Sequence, residues 1–322
     1  MTSVIGFIVG NKQVITQELH KFVIMAVEWK QLSRQDLDEC VSPSKWSNRC
    51  GLFADVVEYF VATIAKETES MRKTFAHELD VRYGEGQFQR LDLYLPEHQT
   101  ADSPVLLCIH GGYWQASSKD DCGVLAWQSI RHGAVSAVVN YTLAPTGTLP
   151  QMVNDIERAL VFLAKKFPKA RGFYICGHSA GGHLGAMMLS VDWSVKYGLP
   201  EDFIKGACLM SGVFDVRPLV KSYVNEPLHL TENEADQVSP INSTNLSKAV
   251  RLSPHCKIIN VYGEHDPPIF KQMSKDYTRK LANGGIDATY EEIPGMDHFE
   301  LVERLVDPEY SLTKMLLQLM SL

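Results

Sequence analysis

The chain has 322 residues, 45% of them hydrophobic, and a formal net charge of −7. That is enough for one large domain or two small ones around a sizeable core; the scattered Lys and Arg argue against a nucleic-acid partner. No run of 18 apolar residues is present, which argues against a membrane span.

Seven cysteines, an odd number with no CxxC pair, argue against a disulfide framework. Cys108, Cys176 and Cys208 fall in apolar, strand-like runs and read as buried reduced thiols, which favours a cytoplasmic setting, the nucleus included. Residues 1–28 carry little pattern of their own. Val4 to Val9 is apolar, but no basic segment precedes it and no cleavage site follows, so no signal peptide is expected.

From there the chain alternates. Residues 50–70 read as a helix, with Leu52, Val56, Tyr59, Phe60 and Ile64 near helical spacing. "RLDLYLP" (90–96) alternates polar and apolar residues and stops at proline, as an antiparallel or edge strand would. "PVLLCIHGG" (104–112) is an apolar run ending in glycines, the pattern of a central strand. "AVSAVVNY" (134–141) is another strand, and 149–167 an amphipathic helix. "FYIC" (173–176) leads into "GHSAG" (177–181), after which Leu184, Met187 and Met188 mark a helical face. "FIKGACLMSG" (203–212) and "HCKIINVYGEHD" (255–266) are strand-like, a helix follows at about 269–283, and "ATYEEIPGMDHF" (288–299) is a last strand and loop before a C-terminal helix. This order predicts an α/β fold with a doubly wound, mostly parallel sheet. Residues 213–254 show little core signal and are expected to be a small insertion near the mouth of the site, a partial lid. The expected organisation is an N-terminal extension over 1–27 and a single domain over 28–322.

Ser179 sits in a G-x-S-x-G pattern between a strand and a helix, where a strained turn would expose its hydroxyl. Small residues there also let a helix pack close to a sheet, so the pattern alone does not decide. A serine nucleophile needs a base and an acid to orient that base. His298, in "MDHF", supplies the base because an imidazole takes and returns a proton near neutral pH. Asp266, in the loop after "KIINVYG", is the expected acid; Glu264 and Asp215 are rivals, and Asp297 is a bystander beside the base. Gly111 and Gly112 follow a strand and offer unobstructed N–H groups, which with the N–H of Ala180 would form an oxyanion hole. Tyr113, Trp114 and Phe299 flank this chemistry and are expected to line the substrate pocket. His178 and His183 do not share a helical face, so no metal site is expected.

On these residues the sequence resembles the α/β-hydrolase superfamily, in its branch with HGG oxyanion loops. More narrowly, it resembles the arylformamidase (kynurenine formamidase) family through "EWKQLSRQDLDECVSPSKWSNR" (28–49), "HGGYWQASSKDD" (110–121), "VNYTLAPTGTLPQMVNDI" (139–156), "GHSAGGHL" (177–184) and "DHFELVERL" (297–305). The resemblance runs from about residue 28 to the C-terminus; Cys40 and Val41 stand where an aromatic residue is commoner. It implies an α/β-hydrolase fold and hydrolysis of N-formyl-L-kynurenine to L-kynurenine and formate in tryptophan degradation, without a cofactor. The partner is then a small-molecule substrate, not nucleic acid or membrane, and the oligomeric state is open, a homodimer included. A general carboxylesterase would use the same residues, and a non-catalytic binding protein on this fold is the alternative from another class.

Overall fold

The structure is a computed structural model that describes residues 28–49, 55–243 and 256–322. The expected extension over 1–27 lies outside the described residues.

Among the described residues eight strands form one sheet in the order β1-β2-β4-β3-β5-β6-β7-β8. They are β1 (Ala76–Arg82), β2 (Arg90–Leu95), β3 (Val105–Ile109), β4 (Val135–Val139), β5 (Phe173–His178), β6 (Ile204–Met210), β7 (Lys257–His265) and β8 (Asp287–Asp297). β2 runs antiparallel to both neighbours, and every other pairing is parallel. The expected doubly wound, mostly parallel sheet is therefore observed. "RLDLYL" is antiparallel as anticipated, but the edge belongs to β1. That strand left no sequence signal because its side chains are almost all exposed and no apolar alternation marks it.

The central strands are apolar on both faces because helices cover both. Val105, Leu107 and Ile109 of β3 join one core, while Leu106 and Cys108 join the other. β5 divides likewise, Phe173 and Ile175 to one side, Tyr174 and Cys176 to the other. This two-residue period is what a strand buried on both faces produces. Cys108, Cys176 and Cys208 lie side by side across β3, β5 and β6, and each is a free, buried thiol.

The helix after "T148" spans Leu149–Lys166, with Thr148 as its N-cap, and buries Met152, Ile156, Ala159, Leu160 and Leu163. The long N-terminal helix runs Val56–Thr74, capped by Asp55. The segment expected as a poorly packed insertion is better packed over its described part, residues 213–243. Val213, Phe214, Val216, Leu219, Val224 and Leu230 there are buried. Its helical turns are too short, for example Asn225–Leu228 and Glu232–Gln237, to leave a period that sequence reading detects. Residues 244–255 lie outside the described residues.

β3 is flanked by β4 on one side and β5 on the other, so the chain changes winding direction there. In open parallel sheets the crevice at such a switch, at the strands' C-terminal ends, is where ligands bind.

Candidate active site

Ser179 follows β5 directly and has φ 55° and ψ −116°. A non-glycine residue held there is strained by roughly 1–3 kcal/mol, so the surroundings must impose it. They do: Ser179 N–H donates to Met210 O at 2.8 Å, and the helix Ala180–Met188 starts at once, with His183 N–H donating to Ser179 O at 3.0 Å. Gly181 lets this helix approach the sheet, because a Cβ there would stand 2.0 Å from Ile109 O. The two readings of "GHSAG" thus hold together: the small residues allow the close packing that imposes the strained turn. The Ser179 hydroxyl does not cap the helix, and it faces a cavity.

Asp266 follows β7 and His298 follows β8. The pairing of those strands sets His265 against Asp297, which brings the next residue of each alongside the other. His298 Nδ1 meets Asp266 Oδ1 at 2.6 Å. A carboxylate only accepts, so Nδ1 carries the hydrogen of this bond. Asp266 Oδ2 accepts from Gly263 N–H at 2.7 Å and from the Ser211 hydroxyl. Ser211, at the end of β6, was not foreseen; a "SG" pair closing a strand is too common a signal. The rival acids are engaged elsewhere. Asp215 makes a two-pronged pair with Arg217 at 2.8 and 2.7 Å, and Glu264 accepts from Gly295 N–H at 2.7 Å.

His178 lies between these groups. Its Nε2–H donates to His298 O at 2.9 Å, and the two rings are 4.6 Å apart. Burial, reinforced by the nearby His298, holds its pKa well below the ordinary histidine value. His178 is therefore neutral near neutral pH.

The glycines after β3 form a tight loop. Gly112 has φ 101°, and Tyr113 and Trp114 follow at 50° and 59°. A side chain on Gly112 would also meet Ala116 O at 2.3 Å. His110 Nδ1–H donates to Gly111 O at 2.8 Å, its ring stacks on Tyr141 at 4.5 Å, and Tyr141 OH donates to His110 O at 3.1 Å. Ala144 N–H donates to Trp114 O at 2.8 Å. A Cβ on Gly111 would stand 3.1 Å from Ser179 Cβ, so loop and serine are in close approach. Among the described residues, no turn or cap hydrogen bond takes the N–H of Gly111, Gly112 or Ala180. The first amides of a helix have no partner within it, so Ala180 N–H is free to bind a negative oxygen.

Ser179, His298, Gly111, Gly112, Tyr113 and Phe299 share one cavity of about 220 Å³, which no Asp, Glu, Lys or Arg lines. Phe60, Val57 and Val61 of the helix Val56–Thr74 and Tyr223 of the 213–243 segment complete its apolar wall. The Phe60 and Phe299 rings meet at a tilt, 5.2 Å between centroids. The expectation for Trp114 is corrected: it does not line the cavity. It is wholly buried and meets the His183 ring edge-on at 5.0 Å. Successive residues in this turn point apart, so Tyr113 faces the cavity and Trp114 the core. The Val57, Phe60 and Val61 contribution was missed, although an apolar set wider than one helix face was visible in the sequence. A larger opening of about 510 Å³ lies by Trp29, Lys30, Arg217, Lys221 and Glu232; it is charged and holds none of these groups, so the smaller cavity is the candidate site. Among the described residues no cluster of His, Cys, Asp and Glu is arranged to hold a metal ion, and no helix is long and apolar enough to cross a membrane.

A model of the BD-FAE family matches residues 91–281. Kynurenine formamidase of Danio rerio is 40% identical over 292 residues, covering 91% of this chain and 98% of that protein. Kynurenine formamidase of Drosophila melanogaster is 30% identical over 84% of this chain and 92% of that protein. Among solved structures, a Pyrobaculum calidifontis esterase shares the fold, with a TM-score of 0.64 and 20% identity over 87% of this chain and 98% of that one.

Proposed function

The chain belongs to the BD-FAE and kynurenine formamidase families, and we propose that it is a serine hydrolase that cleaves the formamide bond of N-formyl-L-kynurenine to give L-kynurenine and formate. The observation that carries the site assignment is the convergence of four post-strand loops: Ser179 on its strained turn, the Asp266–His298 contact at 2.6 Å, and the Gly111–Gly112 amides, all at one uncharged cavity.

His298 Nε2 takes the hydroxyl proton of Ser179 as Oγ attacks the formyl carbon. The carbonyl oxygen becomes an oxyanion, which the N–H groups of Gly111, Gly112 and Ala180 bind; donors of this kind are worth on the order of 3–4 kcal/mol each in the transition state. Asp266 fixes the His298 tautomer and stabilises the imidazolium. His298 then gives its proton to the aniline nitrogen, the C–N bond breaks, and L-kynurenine leaves a formyl ester on Ser179. Water enters, His298 takes one of its protons, hydroxide attacks the ester, and formate departs as the proton returns to Ser179 Oγ. The formyl group is small, so the acyl side can be as tight as the Gly111–Ser179 approach makes it. Phe60, Phe299, Val57 and Val61 offer an apolar surface for the aryl ring.

No cofactor enters this cycle. The reaction places the protein in tryptophan degradation, and the free buried cysteines suit a reducing compartment such as the cytoplasm. Comparing kcat/KM on N-formyl-L-kynurenine with kcat/KM on short p-nitrophenyl esters tests the substrate. A preference for the formamide, corrected for leaving group, supports the reading; ester turnover with no formate release from N-formyl-L-kynurenine makes the protein a general carboxylesterase.

A further inference from the structure

Asp297 precedes His298 and is wholly buried. Both its oxygens are saturated. Oδ1 accepts from Phe299 N–H at 2.9 Å, Glu300 N–H at 2.8 Å and Arg49 Nη2 at 3.1 Å. Oδ2 accepts from Arg49 Nε at 2.9 Å and from the Ser47 hydroxyl at 2.5 Å. The same guanidinium reaches Glu303 at 2.9 and 3.2 Å. Arg49 and Asp297 stand 248 positions apart in the chain.

The segment that carries Ser47 and Arg49 also builds the site. Pro43 and Ser44 line the cavity, and Val41 O accepts from Tyr113 OH, in the glycine loop, at 2.5 Å. Neither Arg49 nor Asp297 lines the cavity, so neither touches a substrate there.

We propose that Arg49 and Asp297 are positioning residues: their ion pair locks the His298 turn to the segment 28–49, so that the base and the pocket wall hold one spacing. This rests on the reading of His298 as the base. His298 is then held at three points: Asp266 holds its ring, His178 its carbonyl, and Arg49, through Asp297, the turn it stands in. Of the three, the Arg49 hold is the one that ties the base to the pocket wall of the N-terminal segment. Stability alone explains the pair poorly. Desolvating both charges is costly, and packed apolar residues often replace a buried pair without loss. A forked guanidinium on a carboxylate instead fixes angle and distance together. Although burial alone would raise the Asp297 carboxyl, hydrogen bonds from Arg49 and Ser47 outweigh it and hold the pKa below the usual range. The shift favours the charged carboxylate, the form that the forked guanidinium binds.

The test is a cycle of Arg49→Met, Asp297→Asn and the double variant, with melting temperature, kcat and KM for each, and the rate at which a fluorophosphonate labels Ser179. Arg49→Met alone strands a buried carboxylate and should melt lower. The double variant, made in a Glu303→Gln background so that the second carboxylate on this guanidinium is not stranded, removes both charges, and the asparagine keeps an oxygen for the Phe299 and Glu300 amides, so it should melt near wild type. Its kcat should nonetheless fall by about 10–100-fold, the scale of a base displaced by about 1 Å, with KM changed less than about threefold and labelling slowed in parallel. A double variant with wild-type melting and kcat within twofold of wild type makes the pair structural only and overturns the proposal. Arg49→Lys keeps the charge without the fork and decides the matter if the double variant does not fold: a fall in kcat at unchanged melting temperature supports the lock, and full activity overturns it. Labelling needs only the serine and its base, so the lock stands or falls apart from the identity of the substrate.

Discussion

Asp266 Oδ1 lies 2.6 Å from His298 Nδ1, with both side chains at most 4% exposed. The contact exists because β7 and β8 are parallel neighbours whose register shifts between Gly263 and His265, setting His265 against Asp297. Asp266→Asn keeps the shape, loses the charge and favours the wrong tautomer. It should lower kcat by roughly 10⁴. Asp215→Asn and Glu264→Gln, whose carboxylates are bound to Arg217 and to Gly295 N–H, should stay within about tenfold of wild type on the scale of that loss. Kinetics of the three variants on one formylated aryl amine, each checked for folding by circular dichroism, decide this.

Gly112→Ala should cost activity through the oxyanion. The new methyl meets Ala116 O at 2.3 Å on a backbone at φ 101°, so the loop must shift. Loss of one aligned donor lowers kcat by about 10²–10³ with a smaller change in KM. Unchanged kcat would mean that this N–H does not face the reacting oxygen.

Phe60→Ala and Trp114→Ala should separate pocket from core. Phe60 is half-buried in the cavity wall, so its loss should raise KM several-fold and barely move the melting temperature. Trp114 is wholly buried, and its loss should destabilise by about 3–5 kcal/mol. Parallel thermal melts and Michaelis curves read both; a large KM effect at Trp114 without loss of stability would return that residue to the pocket.

Stability should fall as the medium turns acid. Burial lowers the pKa of His110 to about 4, of His183 to about 4, and of His178 well below its ordinary value. All three are neutral when folded, while in the unfolded chain they protonate near pH 6.5. Between those values the unfolded state binds more protons, so stability is complete above about pH 6.5 and is lost as pH falls toward 4, by up to about 1.4 kcal/mol per pH unit for each histidine. Melting temperatures from pH 7.5 to 4.5 should drop steeply below 6.5; a flat profile would mean that these rings are charged or solvated in the folded state.

Much of this site is legible in the sequence because chemistry constrains it locally. Ser179 must follow a strand and precede a helix among small residues, and Asp266, His298 and the glycine pair must each follow a strand; all of that is written within a few residues of each position. What the sequence hides depends on distant partners or on side-chain direction. Tyr113 and Trp114 read alike beside Gly112, yet the positive φ of both turns sends one to the cavity and the other to the core. Asp297 looks like a bystander because Arg49 is so remote in the chain. β1 is silent because an exposed edge strand needs no apolar face.

The most direct test of the account is formate release from N-formyl-L-kynurenine by wild type and by Ser179→Ala. The serine oxygen faces the cavity and caps nothing, so its removal should leave the circular dichroism spectrum and melting temperature unchanged. Wild type should release one formate for each L-kynurenine formed, and the variant should lose on the order of 10⁴–10⁶ in kcat. A folded Ser179→Ala protein that keeps more than about a tenth of wild-type turnover, against that expected loss, would show that Ser179 is not the nucleophile.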